Sequence, residues 1–185
     1  MRSRTTLLAV VAALLTLALP THAQTREGLM GDLLKDIDGL QTKIVGLAKA
    51  MPPASYEWRP GKGVRTTGEV FMHVAADNYF MPAAMGTNPP AETGIVGKDY
   101  KTTLAFEQKK VTPEQTVAEL EKSFAFLKSS MSSTPDAKLD TPLDVFGQKT
   151  TLRSLWIMTT THLHEHLGQL IAYARSNNVT PPWSK

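Results

Sequence analysis

Residues 162–175 read HLHEHLGQLIAYAR, and three of the five histidines of the chain fall in the first five of these positions. In a helix each residue advances by about 100°, so positions four and seven apart return to nearly the same face. His162, His166, Gln169 and Tyr173 then form one stripe, with Glu165 at its edge. His164 points about 200° away from His162, toward the side of Arg153 and Arg175, and reads as a solvent-facing residue. Extending the stripe backwards reaches Met158 and Leu155, so the His162/His166 pair lies on a face that turns inward.

Working outward, this helix runs from about Thr151 to about Asn177, where Asn177-Asn178 and Pro181-Pro182 end it. The preceding LDVFGQKTT reads as a small hairpin or extended piece. A third helix opens at Thr112-Pro113-Glu114-Gln115, with a cap, a proline at the first position and the cap partner three residues on. Its apolar stripe is Val117, Leu120, Phe124 and Leu127. The second helix starts at Thr66, which has the spacing of a capping box with Glu69, and ends or bends near Pro82. The first runs from Glu27 to Met51, with Leu29, Leu33, Ile37, Leu40, Ile44 and Leu47 recurring every three or four residues. Residues 86–111 form a long connection between helices two and three, with room for a short helical turn. Four long amphipathic helices in one compact chain make an all-α, four-helix bundle.

A bundle interior is where helices assemble metal sites from facing side chains. Two imidazoles one turn apart can chelate a divalent ion, and a useful site needs at least a third ligand. His73 sits mid-helix in EVFMHVAADNYF, on one face with Glu69, Asp77 and Phe80. A His73/His162/His166 triad therefore takes one ligand from the second helix and two from the last. The competing readings are plain ones: His73 as a hydrogen-bonded core residue, Tyr173 as core, and Glu165 as an orienting group or an arginine partner. Against these, burying a histidine pair without an ion leaves ring nitrogens in need of partners. His162-Leu-His-Glu165-His166 also satisfies H-x-x-E-H, the inverted zinc-peptidase pattern with Glu165 as general base. That class takes a downstream glutamate as third ligand, and residues 167–185 contain no Asp or Glu.

The pattern H-x-x-x-H-x-G-Q followed by Y-x-R, here His162, His166, Gly168, Gln169, Tyr173 and Arg175, resembles the DinB-like (YfiT-like) superfamily. The upstream GEVFMHVAADNYF, with its single histidine, and the lead-in FGQKTTLRSL carry the same resemblance. The likeness covers about residues 25–180. It implies a four-helix bundle with a divalent metal held by His73, His162 and His166. Glu165 is a catalytic candidate through the H-x-x-E-H pattern alone. Family members with assigned roles include thiol-dependent transferases and isomerases. The expectation is a metal-dependent hydrolase or transferase acting on a small molecule, with a non-catalytic metal-binding bundle as the alternative. Zinc is the default ion for nitrogen ligands, and nickel, manganese and iron stay open.

The remaining expectations come from the chain start and the charge. A basic MRSR, the apolar run at 7–19, Pro20 and the small-residue ending THA read as a Sec-type signal peptide cleaved after Ala23. The run is shorter than the roughly 20 residues a spanning helix needs. Residues 24–185 are then the bundle domain of a periplasmic or secreted protein, with no stable membrane insertion after cleavage. The segment carries Arg2 and Arg4 and no acid, so 20 basic residues fall to 18 against 17 acidic ones, and the net charge falls from +3 to +1. That near-neutral balance removes the case for nucleic acid as a partner, while a homodimer stays open. No cysteine is present, so stability rests on packing rather than disulfides.

Overall fold

The computed structural model describes residues 27–184, and the signal-peptide assignment to residues 1–23 lies outside them. Among the described residues the long helices are α1 (Leu29–Ala50), α2 (Thr67–Ala84), α4 (Pro113–Ser132) and α5 (Leu152–Ser176). The shorter α3 (Lys101–Glu107) lies in the connection between α2 and α4, and a two-stranded hairpin, β1 (Pro142–Val145) and β2 (Gln148–Thr151), precedes α5. None of these helices is long and apolar enough to cross a membrane.

The helix starts are set locally. Glu69 N–H donates to Thr66 Oγ1 at 3.1 Å and Thr66 N–H donates to Glu69 Oε2 at 2.7 Å. Gln115 and Thr112 repeat this box at the start of α4, with Pro113 in the first turn. Each cap satisfies backbone donors that the helix itself leaves open and contributes about 1 kcal/mol. Thr151 caps α5 by accepting from Ser154 N–H at 3.2 Å. Asn178, at φ 59°, takes the left-handed conformation just past the end of α5, as a helix terminator does.

Around the bundle α1 packs on α4 and α5, and α2 packs on the same two helices, so α1 and α2 sit on opposite sides. The centre is filled by Phe71, Phe80, Phe124, Trp156 and a set of fully buried Ile, Leu and Met side chains. In α1 the expected stripe is buried at Ile37, Leu40, Ile44 and Leu47, while Leu29 and Leu33, near the helix start, are only partly buried. Every residue of α2 from Val70 to Pro82 is buried, because α3 covers the side that α4 and α5 leave open. A helix enclosed on all sides has little amphipathic contrast, and its polar residues therefore need partners inside the protein.

The connection at 86–111 is more structured than a linker. It contains α3, whose inward face is Thr103, Phe106 and Glu107. Gly97 passes so close to the backbone of Ala83 that a Cβ there would collide with it, which seats the connection against the end of α2. The piece read as hairpin or extended is an antiparallel hairpin with Val145 opposite Gln148. Its two turn residues, Phe146 and Gly147, both have positive φ, 56° and 72°, as a two-residue primed turn requires.

Candidate metal centre

His73 and Asp77 stand one turn apart on α2, and His162 and His166 one turn apart on α5. Packing α2 against α5 brings one donor atom from each of the four within 4.8 Å of all the others. His162 Nε2 is 2.8 Å from Asp77 Oδ2, His73 Nε2 is 3.2 Å from the same oxygen, and His166 Nε2 is 3.1 Å from His162 Nε2. The three rings meet edge to face, with centroids 4.4 to 5.6 Å apart.

The opposite edges of these rings are held from behind. His73 Nδ1–H donates to Glu107 Oε1 at 2.6 Å, and Arg65 Nε–H donates to Glu107 Oε2 at 2.9 Å. Burial acts to raise the Glu107 carboxyl, and the bonds from His73 and Arg65 outweigh it and leave it below the usual range. His166 Nδ1 faces Gln169 Oε1 at 3.0 Å, Gln169 Nε2–H donates to Tyr173 Oη at 3.1 Å, and the Tyr173 hydroxyl donates to the Arg65 carbonyl at 3.4 Å. That chain runs in one direction only. Because the tyrosine gives its proton to a carbonyl, it must accept from the Gln169 amide, which turns the amide oxygen to His166. Both rings are thereby set as Nδ1–H tautomers with the Nε2 lone pair facing inward. Glu165 Oε2 lies 3.5 Å from His162 Nδ1 and is largely exposed, so its hold is weaker than that of Glu107 or Gln169.

Inward-facing lone pairs and a carboxylate make a point rich in electrons and poor in protons. Burial pushes the His166 imidazole down to about 4, which keeps it neutral and ligand-competent. His162 Nε2–H donates to Asp77 Oδ2, and that hydrogen bond pulls His162 up. Asp77 is buried and its Oδ1 has no hydrogen-bond partner. A divalent cation would displace the shared proton and complete the orphaned carboxylate, and the donor set of three imidazole nitrogens and one carboxylate suits such an ion.

The positions expected from sequence fall as follows. His73, His162 and His166 come together, and Glu165 stands beside them on the outer edge of His162. His164 does not join them. It is half-exposed and 2.8 Å from Asp36 of α1. The His162/His166 stripe sits at the border of the buried face, whose centre is Leu163, Leu167, Leu170 and Ala174. Met158, read as inward-facing, is 40% exposed and lines a cavity. Sequence reasoning missed two groups. Asp77 shares a face with His73, and its i+4 spacing is the signal that marks it as a donor. Glu107 is 34 residues from His73 in the chain, and nothing local marks it.

Beside the cluster opens a cavity of about 380 Å³ lined by Asp77, His162, Met81, Met158, Tyr100 and Phe146. Asp77 and His162 give it a polar floor, and Met81, Met158, Phe146 and the ring of Tyr100 give it mostly apolar walls.

Known proteins show the same architecture. A DinB-like protein from Bacillus cereus superposes with a TM-score of 0.63 at 18% identity, over 83% of this chain and 95% of that one. YfiT from Bacillus subtilis, described as a probable metal-dependent hydrolase with an unusual four-helix bundle topology, gives 0.60 at 14% identity, over 84% and 93%. A mutant of the mycothiol-dependent maleylpyruvate isomerase gives 0.59 at 12% identity, over 77% of this chain and 61% of that one. At these identities the likeness is one of fold. No curated protein matches the chain in sequence. The sequence pattern of the DinB superfamily, however, matches residues 36–170, and the chain belongs to the DinB superfamily.

Proposed function

We propose that this protein is a metal-dependent hydrolase or transferase of a small molecule, with the ion held by His73, His162 and His166 and by Asp77 as an oxygen donor. The observation that carries this reading is the convergence of three imidazoles on a buried carboxylate, one of whose oxygens lacks a partner. Bound there, a divalent ion supplies Lewis acidity and lowers the pKa of a coordinated water or thiol. The chain's own residues do the rest. Glu107 and Gln169 fix the tautomers and ring planes, Arg65 anchors Glu107, and burial keeps His166 unprotonated. Zinc suits this donor set, and nickel, manganese and iron are compatible with it.

A bundle that only stores or senses metal has no use for a cavity opening on the ion, and the 380 Å³ space over Asp77 and His162 supports an enzyme instead. The peptidase pattern is not favoured, because Glu165 lies on the Nδ1 side of His162, away from the convergence point. We further propose that the protein acts in the periplasm or outside the cell after cleavage following Ala23. Protein recovered from its native host should then begin at Gln24, and an intact Met1 in the membrane fraction would contradict this.

Metal analysis of untagged protein should find one divalent ion per chain. His73→Ala, His162→Ala and His166→Ala should each lose most of it, and His164→Ala should keep it. Chelator should lower the unfolding temperature of the wild type and leave His166→Ala unchanged, since an ion at about a thousand times its Kd adds about 4 kcal/mol. Equal metal loss from His164→Ala and His166→Ala would sink the assignment.

A further inference from the structure

The cavity is built by one more helical turn on each side of the metal cluster. Along α2 the pairings run from His73 through Asp77 to Met81, and along α5 from His166 through His162 to Met158. The two helices run antiparallel, so both methionines lie beyond the donors on the same side. Tyr100, just before α3, and Phe146, at the tip of the β1–β2 hairpin, close the other walls.

Phe146 is an unusual occupant of its position. A phenylalanine at φ 56° sits in a left-handed conformation that ordinarily selects glycine or asparagine. It is also 58% exposed, so burial does not account for it. Its ring stacks on Phe80 at 5.8 Å and lies 6.4 Å from Tyr100, which holds it at the cavity rim. Strain tolerated at a cavity rim is a marker of use rather than of stability. Tyr100 and Met158 are partly exposed as well, so an apolar rim surrounds the opening. No lysine or arginine lines the cavity among the described residues. Polar groups can therefore be met by the floor and the Tyr100 hydroxyl, and no wall carries a positive charge. Methionine and aromatic walls accept flat or irregular apolar shapes, and 380 Å³ lies in the range of small-molecule sites.

We propose that the site takes a small molecule whose uncharged, ring-sized apolar body lies between Met81, Met158, Tyr100 and Phe146, with one polar reacting group directed to the Asp77/His162 floor. Phe146 is the residue that selects for that body. The proposal rests on the metal-enzyme reading above, and its test is arranged so that the two can fail separately.

The neutral fluorophore N-phenylnaphthylamine, titrated into metal-free protein, should bind saturably at one site. Its anionic counterpart, anilinonaphthalene sulfonate, should bind about tenfold more weakly or worse. Phe146→Ser should weaken the neutral probe by about tenfold or more, the loss expected on removing a ring-sized apolar contact. Met158→Gln, on the opposite wall, should do the same and serves if the hairpin variant fails to fold. On metal-loaded protein, naphthohydroxamic acid should bind at least about tenfold more tightly than acetohydroxamic acid, and Phe146→Ser should erase that advantage without changing metal content. Absence of saturable probe binding, equal binding of the charged and neutral probes, or equal binding of the two hydroxamic acids to a loaded centre would overturn the proposal. So would a Phe146→Ser variant that dissociates a dimer while binding the probe normally, since the apolar rim would then be a self-association surface. If no metal binds and the two hydroxamic acids are equally weak, while the neutral probe still depends on Phe146, the metal reading fails and the apolar pocket stands.

Discussion

The seam between α1 and α4 and the seam between α2 and α5 belong to one bundle and follow opposite rules. In the first, Ile37, Leu40, Ile44 and Leu47 on one helix and Leu120, Phe124, Leu127 and Met131 on the other are all at most 1% exposed. Its charges stay at the rim, as Lys49–Glu121 at 2.7 Å and Lys128–Asp38 at 2.9 Å. In the second, His73 and Asp77 are buried at 3% and 4% exposure, against a half-buried histidine pair. Apolar burial there is exchanged for ionisable groups, whose desolvation is costly unless partners compensate it. Glu107, Arg65, Gln169 and Tyr173 are those partners, and the remaining deficit, the orphaned Asp77 oxygen, is what a cation would fill. One seam is apolar throughout its centre, and the other buries a cluster of ionisable groups.

The contrast can be broken most severely at Phe124. Phe124→Ala should cost about 3–5 kcal/mol in a urea titration followed by circular dichroism, a large part of the ~5–15 kcal/mol typical of a domain. The fraction still folded should bind metal with unchanged stoichiometry. A cost under about 1 kcal/mol would mean that this seam is not the main source of stability. Glu107→Gln sharpens the other side. It removes the charge behind His73 while nearly keeping its shape, and should weaken metal binding by roughly 10–100-fold, with the fold retained by circular dichroism. An unchanged affinity would show that the carboxylate does not orient the ring. Glu165→Gln should do less, within about tenfold, because that carboxylate is exposed and stands 3.5 Å from its histidine. Neither it nor the wild type should cleave casein, and wild-type cleavage lost in Glu165→Gln would promote the peptidase reading. The smallest effect is expected from Lys128→Ala, within about 1 kcal/mol, since the partner Asp38 is mostly exposed. A larger loss would mean that the rim of the α1–α4 seam contributes more than exposed ion pairs normally do.

What could be read without a structure was whatever a few neighbouring residues decide. The capping boxes at Thr66/Glu69 and Thr112/Gln115 close within four residues, and both form as read. Helical phase separates His162 and His166 from His164, and that division holds in space. The same arithmetic placed Met158 inward and was wrong. A side chain at the edge of a helical stripe is buried or exposed according to what packs beside it, and here the neighbour is a cavity. The seven residues of α3 are too few to show a clear period, so the sequence does not distinguish them from a connection.

The sequence alone determined four long helices, their starts to within about two residues and the histidine faces, because helix formation depends on hydrogen bonds and side-chain contacts within one or two turns. Tertiary structure alone decided that Asp77 shares its carboxylate with His162 on another helix, that Glu107 stands behind His73 across 34 residues of chain, and that Tyr100 and Phe146 wall a cavity beside them. Those contacts join segments far apart in the chain, and their formation depends on how α2, α3, α5 and the hairpin pack together, which no local pattern encodes.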